Sequence, residues 1–132
     1  MKEEFHNACR YGDIEMVTKL LSSPTSVDPS VDNNFAIFIA SYNGHANIVR
    51  LLLEDSRVDP SALTNICIRG ASEKGHLEVV RLLLEDRRVD ITAYDNEAIR
   101  RSGNNGHTEI LQILTEHQFR LDGPEYNKNI LT

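Results

Sequence analysis

Apolar residues in this chain recur in short helical stripes, and the stripes recur as a set. In GHANIVRLLLEDSRVD, from Gly44 to Asp59, residues Ile48, Val49, Leu52 and Leu53 stand at i, i+1, i+4 and i+5. That spacing is one face of a 3.6-residue helix, with Arg50 and Glu54 on the opposite face. The stripe returns as Val79, Val80, Leu83 and Leu84 in GHLEVVRLLLEDRRVD, from Gly75 to Asp90, at an offset of 31 residues. Fainter copies begin at Gly12 (GDIEMVTKLL) and Gly106 (GHTEILQILT). Self-similarity at such a period marks stacked supersecondary units, none of which can bury its apolar face alone. Burying each large aliphatic side chain contributes roughly 1.5–3 kcal/mol, so these leucines are expected to hold the stack together.

A second, shorter apolar pattern lies upstream of each glycine. In the second copy it runs from Phe35 to Asn43 and follows Asn34, and asparagine recurs at that place as Asn65 and Asn96. Asparagine ahead of a helix predicts an N-cap, its side-chain oxygen accepting from a free N–H of the first turn. Small residues stand at one level of these helices (Ala8, Ala40, Ala71, Ser102), a pattern that lets neighbouring helices approach closely. Between helix pairs run SVDPSVDNN, RVDPSALTN and RVDITAYDN, where Pro29 and Pro60 bias the preceding aspartates away from helix.

Each unit therefore reads helix, tight glycine turn, helix, return loop. Units are expected at 1–27, 28–58, 59–89 and 90–120, forming one domain over 1–132. The first, with Lys2, Glu3 and Glu4 on its opening turn, reads as a polar end unit. From Leu121, LDGPEYNKNILT resembles the start of a fifth unit, either a natural tail or part of a longer array.

With Gly-His between its helices and a valine-leucine-rich second helix, the unit resembles the ankyrin repeat, whose general pattern is TPLHxAAxxGHxxVVxLLL plus a return loop. The resemblance covers almost the whole chain and is strongest in GHLEVVRLLLE, Gly75 to Glu85. It is weakest in the first helix. There TPLH is replaced by Phe35-Ala36-Ile37-Phe38, Ile66-Cys67-Ile68-Arg69 and Glu97-Ala98-Ile99-Arg100, and only His6 keeps the histidine. The unit is also two residues shorter than the 33-residue ankyrin unit, so compact turns around Asp-Pro are expected instead of a protruding β-hairpin. The resemblance implies an all-α solenoid of four stacked helix-turn-helix repeats and a non-catalytic protein-protein interaction module.

Charge and composition narrow the function. A net charge of −6 argues against general affinity for nucleic acid, whose phosphates demand a basic footprint. The two cysteines, Cys9 and Cys67, form no CxxC pair, which suggests a reducing compartment, cytosol or nucleus. MKEEFHNACR is no secretory signal, and no apolar stretch reaches membrane-spanning length. A cytoplasmic monomer without cofactor or metal is expected. His45, His76 and His107 follow the turn glycines and read as structural; a column spaced one repeat apart cannot share one zinc.

The better prospect is a surface. Ile37, Ala40 and Ser41 are assigned to the core, leaving Phe35, Ile39, Tyr42 and Asn43 on the other side. By analogy with ankyrin stacks, that side lines the concave groove. The equivalent positions are Asn7, Arg10 and Tyr11, then Ile66, Gly70, Glu73 and Lys74, then Glu97, Arg101, Asn104 and Asn105. The expected protein-binding set is Tyr11, Phe35, Ile39, Tyr42, Asn43, Ile66, Glu73, Lys74, Arg101 and Asn104, an apolar, aromatic centre with a polar flank. Phe35 and Ile66 could equally lie under the return loops and extend the core. Arg69 and Arg100, standing where the family has its buried histidine, should reach toward Asp32, Asp95 or Glu97. The alternative function is a structural spacer or a piece of a longer array without its own ligand.

Overall fold

The computed structural model describes residues 1–24 and 27–131, of 121–131 the backbone alone. The reading of 121–132 as the start of a fifth unit turns on side chains outside those described. Among the described residues eight helices follow in order: α1 (Lys2–Tyr11), α2 (Ile14–Ser22), α3 (Val31–Tyr42), α4 (Ala46–Leu53), α5 (Ala62–Lys74), α6 (Leu77–Leu84), α7 (Ala93–Asn104) and α8 (Thr108–Leu131). They pair across the turn glycines, and no strand occurs among the described residues. The stripes turn inward as their period predicts, with Leu53 and Leu84 half-buried against the core. Ile48, Val49, Leu52, Val79, Val80 and Leu83 are at most 1% exposed, joined in one core by Phe5, Val17, Ile37, Ile68 and Leu114.

Gly-His is an inter-unit lock. Gly12, Gly44, Gly75 and Gly106 have φ between 75 and 83°, the left-handed region that ends a helix most cheaply with glycine. At Gly12, Gly44 and Gly75 the ring of the histidine one unit further on lies against the glycine. A Cβ at Gly44 would stand 2.5 Å from His76 Nδ1, and at Gly75 2.6 Å from His107 Cε1. The same imidazoles reach back: Nε2 of His45, His76 and His107 lies 2.8–2.9 Å from the carbonyl oxygens of Arg10, Tyr42 and Glu73. A carbonyl only accepts, so Nε2 carries the proton. Glycine supplies both the turn and the flat bed for the next ring, which is why the dipeptide recurs.

The return loops hold the main correction. Asn34, Asn65 and Asn96 are not N-caps. Each is the last of three consecutive residues in the left-handed region: Asp32–Asn34, Leu63–Asn65 and Tyr94–Asn96, with φ of 54–63°. Right-handed helix therefore starts at Phe35, Ile66 and Glu97. The amide oxygens of Asn34 and Asn65 look forward instead, accepting from the N–H of Asp59 at 2.8 Å and of Asp90 at 2.9 Å in the following loop. Before each left-handed turn an aspartate folds the chain onto itself. Oδ1 of Asp28, Asp59 and Asp90 accepts from both N–H and hydroxyl of Ser30, Ser61 and Thr92 at 2.6–2.9 Å. These are compact turns centred on aspartate, followed by proline in the first two loops.

Candidate functional site

The first helices (α1, α3, α5, α7) pack against one another far more extensively than the second helices do, which makes their side the concave one. The cause is the small-residue column: Ala8, Ala40, Ala71 and Ser102 are 5% exposed or less and bring the helix axes together. Ile37, Ala40 and Ser41 are fully buried, so the opposite face of α3 is turned outward as expected.

That face carries a row of rings. Phe35 stands 4.8 Å from His6 and 6.2 Å from Phe38, and Phe38 stands 5.6 Å from Tyr42, centroid to centroid. Tilted and edge-on contacts in this range add roughly 0.5–1.5 kcal/mol beyond burial. The row has room because the adjacent position on α5 is Gly70, whose added Cβ would lie 3.1 Å from Tyr42 Cδ1 and 3.6 Å from Phe38 Cε1. Cations lie across both ends. The Arg10 guanidinium sits 5.7 Å from the Phe35 centroid, held by Asn7 Oδ1 at 2.7 Å, and Lys74 Nζ sits 5.0 Å from the Tyr42 centroid. Toward the glycine turns, Arg10, Tyr11, Ile39, Tyr42, Asn43 and His45 line an open hollow.

The expected surface residues are all reachable. Tyr11 is 76% exposed; Asn43, Lys74, Arg101 and Asn104 are exposed, and Phe35, Ile39, Tyr42, Ile66 and Glu73 half-buried. Tyr11, Ile39, Tyr42 and Asn43 share the hollow, Lys74 joins them over Tyr42, and Phe35 joins through Phe38. Asn43 also braces the stack, its Nδ2 donating to Arg10 O at 3.4 Å, as Asn105 does to Glu73 O at 3.1 Å. Arg101 and Asn104 stand on α7, apart from the hollow. Phe38 belongs to the row but was not among the expected contacts. The signal was there: Phe35, Phe38 and Tyr42 at i, i+3 and i+7 make one helical stripe.

Arg69 and Arg100 serve the fold. Arg69 meets Glu97 at 3.3 Å, both side chains mostly buried, while its Nε and Nη2 donate to the carbonyls of Thr64 and Leu63 at 3.0 and 3.1 Å. It also lies 4.6 Å from the Tyr94 centroid. Arg100 donates to the carbonyls of Asp95 and Tyr94 at 2.8 and 3.2 Å, not to a carboxylate. Each arginine clamps its own unit's left-handed turn. Asp32 pairs with Lys2 at 3.3 Å instead. His6 lies beneath, with Nδ1 4.0 Å from Asp32; burial holds its imidazole below the ordinary range. Both cysteines are buried, and burial pushes their thiols up to about 12, leaving them protonated and poor nucleophiles. No cluster of three or more His, Cys, Asp or Glu side chains that could hold a metal occurs among the described residues. The concave face thus offers rings, two cations and amides, which is recognition chemistry.

The family model for ankyrin repeats, in three copies, matches residues 5–95. The chain belongs to the ankyrin-repeat family, whose members are in general non-catalytic modules of protein-protein interaction. A search of curated proteins finds no match. Among solved structures, the chain is similar to one in the crystal structure of the yeast ribosomal protein Rps3 in complex with its chaperone Yar1, with 24% identity and a TM-score of 0.68. That similarity covers 84% of this chain and 88% of the other, and it is a likeness of fold. Beyond residue 95 the solenoid continues on structural grounds: α7 and α8 repeat the buried small residue at Ser102, the left-handed Gly106 and the histidine that reaches back from His107.

Proposed function

We propose that this chain is a non-catalytic protein-binding module that receives one protein partner on its concave face, as a monomer in the cytoplasm. The observation that carries the reading is the aromatic row Phe35, Phe38 and Tyr42 beside Tyr11 and Ile39, left half open on closely packed helices. Interface energy concentrates in aromatic and arginine anchors held rigid before binding, and this row, with Arg10 over Phe35, supplies both kinds. Free, buried thiols suit a reducing compartment. No helix among the described residues is long and apolar enough to cross a membrane.

The test is the double variant Ile39→Ala/Tyr42→Ala against a partner captured from the source cell. Affinity should fall at least tenfold, about 1.4 kcal/mol, with an unchanged circular dichroism spectrum. Equal affinity would move the site elsewhere.

A further inference from the structure

We infer that the partner segment received by the groove is acidic and apolar, with carboxylates flanking aromatic or branched aliphatic anchors. This rests on the concave face being the binding surface. Its support is the way charge is divided over the molecule. The chain carries a net −6, yet the four first helices hold six cationic and six carboxylate side chains and are neutral. The excess of negative charge therefore belongs to residues outside the four first helices.

Within that face the charges are not equally free. Of the carboxylates, Glu97 is taken by Arg69 at 3.3 Å and Asp32 by Lys2 at 3.3 Å. Glu3 lines a recess at the return-loop end together with His6, Asp32 and the Arg10 side chain but makes no ion pair there, and Glu73, half-buried, neighbours Lys74 in sequence. Arg10, Lys74 and Arg101 form no ion pair among the described residues. The hollow lined by Arg10, Tyr11, Ile39, Tyr42, Asn43 and His45, about 570 Å³, has no carboxylate in its lining among the described residues.

Arg10 lies over Phe35, which leads through Phe38 to Tyr42, and Lys74 lies over Tyr42. A cation resting on a ring has shed part of its hydration and keeps its remaining donors for an incoming carboxylate. An apolar anchor entering beside Ile39 and Tyr42 would bring an adjacent carboxylate within reach of either cation, and no existing ion pair need break. A basic segment would meet like charge at both ends of the row.

Panning a random 12-residue peptide library on the intact chain decides the matter. Recovered sequences should be enriched in Asp or Glu next to Phe, Trp, Leu or Ile. Synthetic copies should lose at least tenfold in affinity against both Arg10→Glu/Lys74→Glu and Ile39→Ala/Tyr42→Ala, with thermal melts matching the parent. Peptides that fail against Ile39→Ala/Tyr42→Ala but ignore the charge reversal would overturn the acidic class and leave the groove standing. Peptides indifferent to both variants would overturn the groove itself. Basic or neutral consensus peptides, displacement by an oligonucleotide, or no enrichment over an unrelated protein would each sink the inference.

Discussion

The groove has two ends built on opposite principles. At its glycine end, each turn is a residue with no side chain in a left-handed conformation that glycine adopts freely, and Gly12, Gly44 and Gly75 are covered by the next unit's imidazole, tied by a 2.8–2.9 Å bond. At its return-loop end, three side-chain-bearing residues in a row take the left-handed conformation, which costs L-residues roughly 1–2 kcal/mol each, less for Asn and Asp. The first end is relaxed and the second is held. The aromatic hollow lies at the relaxed end, where its walls need no support from strained backbone.

Within the return loops, sequence and support trade off. Asp32-Asn33-Asn34 is composed of the residues that best tolerate this conformation, and the helix position behind it is Phe38, which donates nothing to the turn. Leu63-Thr64-Asn65 tolerates it worst, and there Arg69 donates to two of its carbonyls.

The largest break in the contrast should come from Gly44→Ala. The methyl group would displace the His76 ring and lose its bond to Tyr42 O, in a left-handed residue besides, costing about 3 kcal/mol. Gly106→Ala meets nothing within 4 Å and should cost only about 1 kcal/mol, read from urea midpoints at constant slope. Asn65→Ala removes the acceptor for the Asp90 N–H and an asparagine from a left-handed position, about 2 kcal/mol. Arg69→Ala should cost about 1.5 kcal/mol, leaving Glu97 and two carbonyls without it, and the exposed Arg100→Ala less. Thr64→Asn should stabilise by about 0.5–1 kcal/mol, since a β-branched residue at φ 54° is out of place.

The smallest effect is in acid. Bonds from Ser30 and Thr92 hold the Asp28 and Asp90 carboxyls below their usual range. Their contribution is complete above the unfolded value of 3.8 and is lost as pH falls through the lower folded values. In an NMR titration the Ser30 and Thr92 amide shifts should move with midpoints below 3.8.

Much of this was legible in the chain itself. Leu52 and Leu83 point inward because a 3.6-residue stripe leaves no other choice, and Ala8, Ala40, Ala71 and Ser102 marked the close side in advance. The asparagines were misread for a physical reason. Asn34 before a helix suits an N-cap and a left-handed residue alike, and what decides is the Asp59 N–H, a residue 25 positions away brought near by folding. Of the three carboxylates expected for Arg69 and Arg100, Glu97 alone is met, by Arg69, whose bonds to the Leu63 and Thr64 carbonyls depend on a backbone turn that no residue pattern announced. Phe38 was hidden because its counterparts, His6, Arg69 and Arg100, are polar, and comparison across units averaged the aromatic away.

Hydroxyl-radical footprinting of the partner-bound chain tests the central claim most directly, because rings report their own exposure. Oxidation of Tyr11 and Tyr42, at the relaxed end of the groove, should fall several-fold on binding, while Phe119, 58% exposed on α8, stays as reactive as before. Unchanged oxidation of Tyr11 and Tyr42, with protection on the second helices, would contradict the account.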